Sequence, residues 1–361
     1  MSVFVTFGEI MARMAPTGVM RLQQVLPGTL EVTFAGAEAN VAASLAMLGS
    51  QARFVTAMPD NFLSDACIAD LRGLGVDTTC IRRLERGRFG IYFVETGANQ
   101  RPSRVTYDRE SSSISLAHPD DFDWDAVFRD AHWLHLTGIT SALSLSAAET
   151  TLEAARQAKA HGVRVSLDPN FRAKLWRWDS TLTPLELASR TLRQLMPYVD
   201  LLMANADDCR LLGIDTSYRG NVLPSDQEYL PELARRAISQ YSNISRVTAT
   251  LRENISASHN NWGAMLFDGA TNTAFFAPLR NGSYQPWEIR NIVDRVGGGD
   301  AYAAGLLFAL HHPDYSNLQT ALEFATAASC LAHSVVGDFN FASRAEIDEL
   351  MGGSGSGRVV R

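Results

Sequence analysis

The stretch NIVDRVGGGDAYAAGLLFALHH, residues 291–312, carries an apolar run and Asp294 into three consecutive glycines, Gly297, Gly298 and Gly299, then Asp300, then an alanine-rich helical pattern. Glycines at a helix start leave backbone N–H groups unshielded, and the helix N-terminus adds partial positive charge, which suits a phosphate. A carboxylate beside such an anion hole can take the proton of an alcohol as that alcohol attacks the phosphorus held there, which makes Asp300 the candidate base. A side chain at position 298 is expected to face the approaching anion. The competing reading is a tight turn in which Asp300 merely caps the helix. The chain lacks a Gly-x-x-x-x-Gly-Lys-Ser/Thr loop, a protein-kinase catalytic-loop signature and a Gly-x-Gly-x-x-Gly turn after its first strand. If phosphate is bound, residues 297–299 are the best place for it.

Upstream of this turn, short apolar runs that read as buried strands recur at residues 3–7, 53–57, 133–137, 163–167, 201–204, 247–251 and 264–267. Alanine-rich stretches with helical spacing, at 37–48, 146–160 and 230–241, lie between them. This alternation predicts an α/β fold with a mostly parallel, doubly wound sheet. One segment breaks it: IYFVE (91–95), a polar turn at 97–102 and RVTY (104–107) read as a hairpin. With residues 14–34, which also lack helical periodicity, it is expected to form a small β-sheet lid that excludes water. The domain reading is a core over 1–12, 35–88 and 110–351, a lid over 13–34 and 89–109, and a flexible tail, GGSGSGRVVR, over 352–361. The exposed edge of the lid is a candidate for pairing across a homo-oligomer.

The 361 residues are 46% hydrophobic, enough for a large α/β domain with a small accessory element. A formal net charge of -7 argues against nucleic acid or an anionic membrane as partner. Cys67, Cys80, Cys209 and Cys330 lie far apart with no CxxC pair, so free thiols are expected and neither a zinc site nor a disulfide framework. The eight histidines show no HExxH spacing, and His311 and His312 sit where a helix is expected to end. The chain opens on the strand-like VFVTFG with no basic leader and has no long uncharged apolar run, so a soluble cytoplasmic protein is expected.

DRVGGGDAYAAGLL, residues 294–307, closely resembles the C-terminal signature of ribokinase-like (PfkB) carbohydrate kinases, usually written DTxGAGDxFxxG. Arg295 and Val296 stand in place of the usual Thr pair, Gly298 in place of Ala and Tyr302 in place of Phe. FAGAEANVAASLAMLG, residues 34–49, is similar to the family's Gly-rich, Asn-containing segment that opens the first substrate-side helix. The resemblance implies a ribokinase-like αβα sandwich with a β-sheet lid over essentially the whole chain. It also implies ATP and Mg²⁺, with Asp300 as base and Gly297, Gly298 and Gly299 as anion hole. VDLLMANADD, residues 199–208, resembles the family's Asn-x-x-Glu segment, which implies Asn205 near the nucleotide phosphates or hydrated magnesium. Asp208 stands at the Glu position, one methylene shorter, and is expected to reach magnesium through a water. Its alternative role, which Asp207 shares, is that of an acid at a helix N-terminus. Family members often hold a monovalent cation such as K⁺ beside the anion hole; Asp294 and Val296 are the matching positions.

Three further segments bear on the acceptor. Tyr107 and Arg109 are spaced i, i+2, which projects both from one strand face, and Arg172 follows the strand-ending Asp168 in SLDPNFRAKLW, a loop expected at the carboxyl edge of the sheet where ligands bind. Arginine offers a bidentate fork to a carboxylate, so an anionic sugar is indicated; the plain alternative is two ordinary surface arginines. Together with Tyr92 and with TLRENISASHNNWGA (250–264), which replaces the compact Gly-rich loop most members use near the nucleotide, these segments look like the 2-keto-3-deoxygluconate kinase branch. That resemblance implies conversion of 2-dehydro-3-deoxy-D-gluconate to its 6-phosphate. Gly36, Ala37, Asn40, Tyr92, Tyr107, Arg109 and Arg172 would line the sugar-acid site, with Thr250 and Arg252 on the nucleotide side and Arg252 a candidate positive clamp. Glu9, after the first strand, is expected to accept sugar hydroxyl protons. The alternatives are a fructokinase, ribokinase or nucleoside kinase of the same family, a dinucleotide-dependent oxidoreductase, for which Gly8 lacks the rest of its turn, and a catalytically silent sugar-binding protein.

Overall fold

The apolar run VFVTF becomes the strand Val3–Phe7, buried along its whole length, as a strand covered on both faces must be. The computed structural model describes residues 2–214 and 227–353, so residues 354–361 of the expected tail lie outside the described residues. Val3–Phe7 pairs in parallel with Gln51–Val55 on one side and Ala131–Thr137 on the other. From there Arg164–Asp168, Leu201–Met203 and Arg246–Ser256 continue the sheet in parallel, and His259–Asp268 and Thr273–Ala277 finish it antiparallel. Chain order reverses at Val3–Phe7, and such a reversal opens a crevice at the carboxyl ends of the strands. The segments after Val3–Phe7 and Arg164–Asp168 therefore empty into one place.

Alternating side chains give the sheet two cores. Val5, Leu134, Val165, Leu202 and Val247 pack on one face; Phe4, Trp133, Leu201 and Met203 pack on the other. Against the second face lie the helices Ala37–Met47, Gly298–Ala309 and Leu318–Ala332. Small residues let them approach closely: a Cβ on Gly305 would stand 3.0 Å from the Ala325 Cα. Trp176 is fully buried and the Trp178 indole donates to the Ser141 carbonyl, so both pack their loop. The four cysteines are free. Among the described residues no helix is long and apolar enough to cross a membrane.

The small sheet is four-stranded, in the order Glu31–Ala35, Met11–Ala15, Gly90–Glu95, Arg104–Asp108. Its register sets Arg13 beside Tyr92 and Tyr92 beside Tyr107, one row across three strands. Met11, Ala15, Ala35, Tyr92 and Val94 bury themselves on its inner face.

The segment 250–264 differs from its expected outline. The strand readings stop at 251 and resume at 264, yet the strands run on to Ser256 and start again at His259 as one long hairpin, paired on its outer side with Trp287–Arg290. Residues 252–255 are exposed, so their polar composition concealed a strand. The hairpin tip meets the small sheet, with the Ala257 amide donating to the Asn99 carbonyl at 2.7 Å and the Asn99 amide to the Ser258 hydroxyl at 3.0 Å.

Candidate functional site

Gly297 stands at the N-cap of the Gly298–Ala309 helix with φ +84°, and a Cβ there would collide with the Asp338 carbonyl. Only glycine takes both the backbone angle and the close approach without strain. No side chain caps this helix, so its first-turn amides are left for a ligand. Gly299 is open, with nothing within 4 Å of where a Cβ would project. Position 298 corrects an expectation. A Cβ on Gly298 would lie 3.2 Å from the His333 ring and so faces the core, not an incoming anion.

One turn in, Asp300 is half-buried and accepts a hydrogen bond from the Asn40 amide at 2.6 Å. Asn40 belongs to the Ala37–Met47 helix, and its own carbonyl accepts from the Gly36 amide at 3.2 Å. Burial pushes the Asp300 carboxyl up to about 7, with the negative Asp338 and Glu38 adding to the rise, while Asn40 and Arg172 oppose it. Asp168 is pushed up to about 7 by burial and by Asp300. Asp208 reaches about 7 through burial and Asp168. Arg172 pulls against all three.

Gly36, Ala37, Asn40, Tyr92, Tyr107, Arg109, Arg172, Asn205, Asp208, Thr250, Arg252, Val296, the three glycines and Asp300 all line one cavity of about 1010 Å³. On its lid side the Tyr92 and Tyr107 rings lie 6.2 Å apart and the Arg109 guanidinium sits 5.2 Å from the Tyr107 ring centre. Arg109 and Glu9 form an ion pair, both almost fully buried. Glu9 therefore does not stand at the cavity wall to accept sugar hydroxyls; it is the counter-ion beneath Arg109.

On the opposite side Asn205 caps the Ala206–Leu211 helix by accepting from the Asp207 and Asp208 amides at 2.8 and 3.0 Å, and the Asp208 carboxylate accepts from the Asn205 amide at 3.1 Å. Asp208 is thus a helix N-terminal acid and a cavity wall at once. Among the described residues no three His, Cys, Asp or Glu side chains cluster closely enough to hold a metal ion, so a magnesium would be carried mainly by nucleotide phosphates and water, with Asp208 beside it. Arg252 and Arg172 make no ion pair with a carboxylate among the described residues. Burial and the neighbouring Arg295 and Arg172 hold the Arg252 guanidinium below its ordinary value.

Asp294 is absent from the cavity wall. Its Oδ1 accepts the Arg295 and Val296 amides at 2.7 and 3.1 Å, its Oδ2 takes the Arg13 guanidinium and, at 3.4 Å, the Gly337 amide. With both oxygens engaged, Asp294 does not fit a K⁺ ligand. The Arg13 guanidinium also pairs with Asp338, which accepts the Tyr92 hydroxyl at 2.9 Å. Neither Arg13 nor Asp338 was singled out from sequence, since each is an ordinary residue of its own segment. Asp168 could have been, as a carboxylate ending a parallel strand at the carboxyl edge of the sheet.

Comparison with known proteins finds a match to the model of the pfkB family of carbohydrate kinases over residues 1–232, a span that stops short of the glycine turn. A 2-dehydro-3-deoxygalactonokinase of Haloferax volcanii is 31% identical over 98% of each chain. The crystal structure of the 2-dehydro-3-deoxygluconokinase from Thermotoga maritima superposes with a TM-score of 0.86 at 40% identity, covering 98% of this chain and all of that one. A fructokinase from Xylella fastidiosa, solved with bound ATP, shares the fold at a TM-score of 0.73 and 22% identity over 98% of both chains.

Proposed function

The chain belongs to the pfkB family of carbohydrate kinases, and from that premise we propose that it transfers the γ-phosphoryl group of ATP to a terminal hydroxyl of a 2-dehydro-3-deoxy sugar acid, 2-dehydro-3-deoxy-D-gluconate giving the 6-phosphate. The observation that carries this reading is the position of Asp300 in the helix turn that leaves its amides uncapped, tied by Asn40 to the helix that walls the sugar side. Acceptor and donor meet at that carboxylate.

The γ-phosphate sits against the amides of the 297–299 turn, with Arg252 supplying positive charge where it develops. The acceptor oxygen forms its bond to phosphorus as the bridging oxygen of ADP leaves, and Asp300 takes the hydroxyl proton. A magnesium ion beside Asp208 and Asn205 would neutralise phosphate charge. Because the transition state is largely dissociative, positioning outweighs base strength, and a carboxyl poised at about 7 is ample. Arg172, which has no carboxylate pair among the described residues, recognises the sugar carboxylate, and Arg109, held by Glu9, walls the same cavity. The relatives' names support the acceptor class and differ only in the configuration of one hydroxyl.

The test is kcat/KM across 2-dehydro-3-deoxygluconate, its galactonate epimer, fructose, ribose and adenosine with ATP and Mg²⁺. The sugar acids are expected to lead. A neutral sugar or nucleoside turned over faster than both acids would overturn the acceptor assignment and leave the kinase reading standing.

A further inference from the structure

Two carboxylates flank the glycine turn, Asp294 off the cavity wall and Asp338 bordering it, with side-chain exposures of 5% each, and the cation between them is Arg13 at 3%. They brace Gly297 from two sides. Asp294 holds the amides of Arg295 and Val296, the two residues before the glycine. Asp338 presents its carbonyl so tightly that no Cβ fits at Gly297. Without a cation between them, two buried carboxylates facing one another would repel and the turn would lose both supports. Arg13 comes from the lid strand Met11–Ala15, in register with Tyr92, whose hydroxyl completes the Asp338 carboxylate. Its planar fork suits two separate carboxylates, a geometry a point charge does not reproduce.

We propose that Arg13 is a built-in counter-ion, a positioning residue that fixes the anion-hole turn from the lid side, so that phosphoryl transfer depends on no monovalent cation at the Asp294 loop. This rests on the kinase reading above. It departs from the cation expected at Asp294 and Val296, because the Asp294 carboxylate that would bind one is already taken by the guanidinium and by backbone amides. Arg13 acts through Asp294 and Asp338 and does not itself line the cavity.

The experiment compares K⁺, Na⁺ and tetramethylammonium at equal ionic strength, in turnover of the best sugar acid and in thermal melting. For the wild-type chain turnover is expected to vary less than about twofold and melting temperature not measurably, since the Arg13 guanidinium already fills the place between Asp294 and Asp338. R13Q is expected to lose roughly 100-fold in kcat, as when a buried charge partner is removed. The double variant R13Q/D338N, which removes one charge of each sign and so spares the fold, should regain activity selectively with K⁺ and melt higher in K⁺ than in tetramethylammonium. R13K, keeping the charge without the fork, should fall between wild type and R13Q. Wild-type rates raised by K⁺ beyond that limit, wild-type melting that follows K⁺, or a folded R13Q with wild-type kcat would overturn the proposal. The melting arm needs no substrate, so a chain that phosphorylated none of the sugars would sink the functional reading while this one remained decided.

Discussion

The two sides of the cavity use arginine in opposite ways. On the lid side Arg13 and Arg109 are spent inside the protein, one between Asp294 and Asp338 and the other on Glu9, all five side chains being nearly inaccessible to solvent. On the side away from the lid Arg172 and Arg252 carry no carboxylate partner among the described residues, and Arg295 donates to the Ser256 and Ala257 carbonyls at 3.1 and 2.6 Å. Paired charges in a low-dielectric interior fix shape, because losing either partner strands the other. Unpaired cations held near one another raise the energy of the empty site and release it when a polyanion arrives. The lid side thus holds a geometry, whereas the opposite side keeps its cations open to an anion.

Asp300 lies where the two sides meet, and its removal should have the largest effect. Asp300→Asn is expected to lower kcat by roughly 10²-fold or more while leaving nucleotide affinity, followed by calorimetric titration, close to wild type. Near-wild-type turnover would show that neither side depends on a base at this junction. Glu9→Gln attacks a paired charge. It strands the Arg109 guanidinium, so denaturant unfolding should show a loss of roughly 3 kcal/mol, with KM for ATP almost unchanged.

Arg252→Gln is the complementary probe. Stability should hold or rise, because partial desolvation in the cavity wall and two like charges already disfavour that guanidinium, whereas KM for ATP should increase about tenfold. If Arg252→Gln destabilised the fold as much as Glu9→Gln, the distinction between spent and waiting arginines would collapse. The smallest effect is in pH. As the proposed base Asp300 would work deprotonated, and its carboxyl is raised to about 7, so kcat/KM should climb with pH through an acidic limb near that value. Asn40 favours the ionised form, so Asn40→Ala should move the limb to higher pH, read from the pH profile of kcat/KM. The same shift has a stability sign. A carboxyl raised in the fold stabilises it below the unfolded value and loses that contribution as pH rises through about 7. Asp300→Asn should therefore raise the melting temperature at pH 8 more than at pH 5.

The glycine turn was readable because its causes are local. Three glycines, a carboxylate and a helix within a dozen residues specify a backbone shape and an exposed set of amides. Tyr107 and Arg172 were singled out by strand spacing and loop position, Asn40 and Tyr92 by resemblance, and the cavity does gather them. The hairpin at 250–264 was missed because its polar faces look outward, where composition carries little strand signal.

Residue type and spacing by themselves determined the alternating α/β order, the uncapped glycine turn and the carboxylate beside it, since helix termini and strand periodicity act over a few residues. Only the tertiary structure decided which charges are free. Arg13 meets Asp338 across 325 residues of chain and Asp294 across 281, and Glu9, just after the first core strand, claims Arg109. An arginine reads the same in sequence whether it awaits a phosphate or already holds a carboxylate. The difference is set by what the fold brings within reach of its guanidinium and by how little water remains there to screen it.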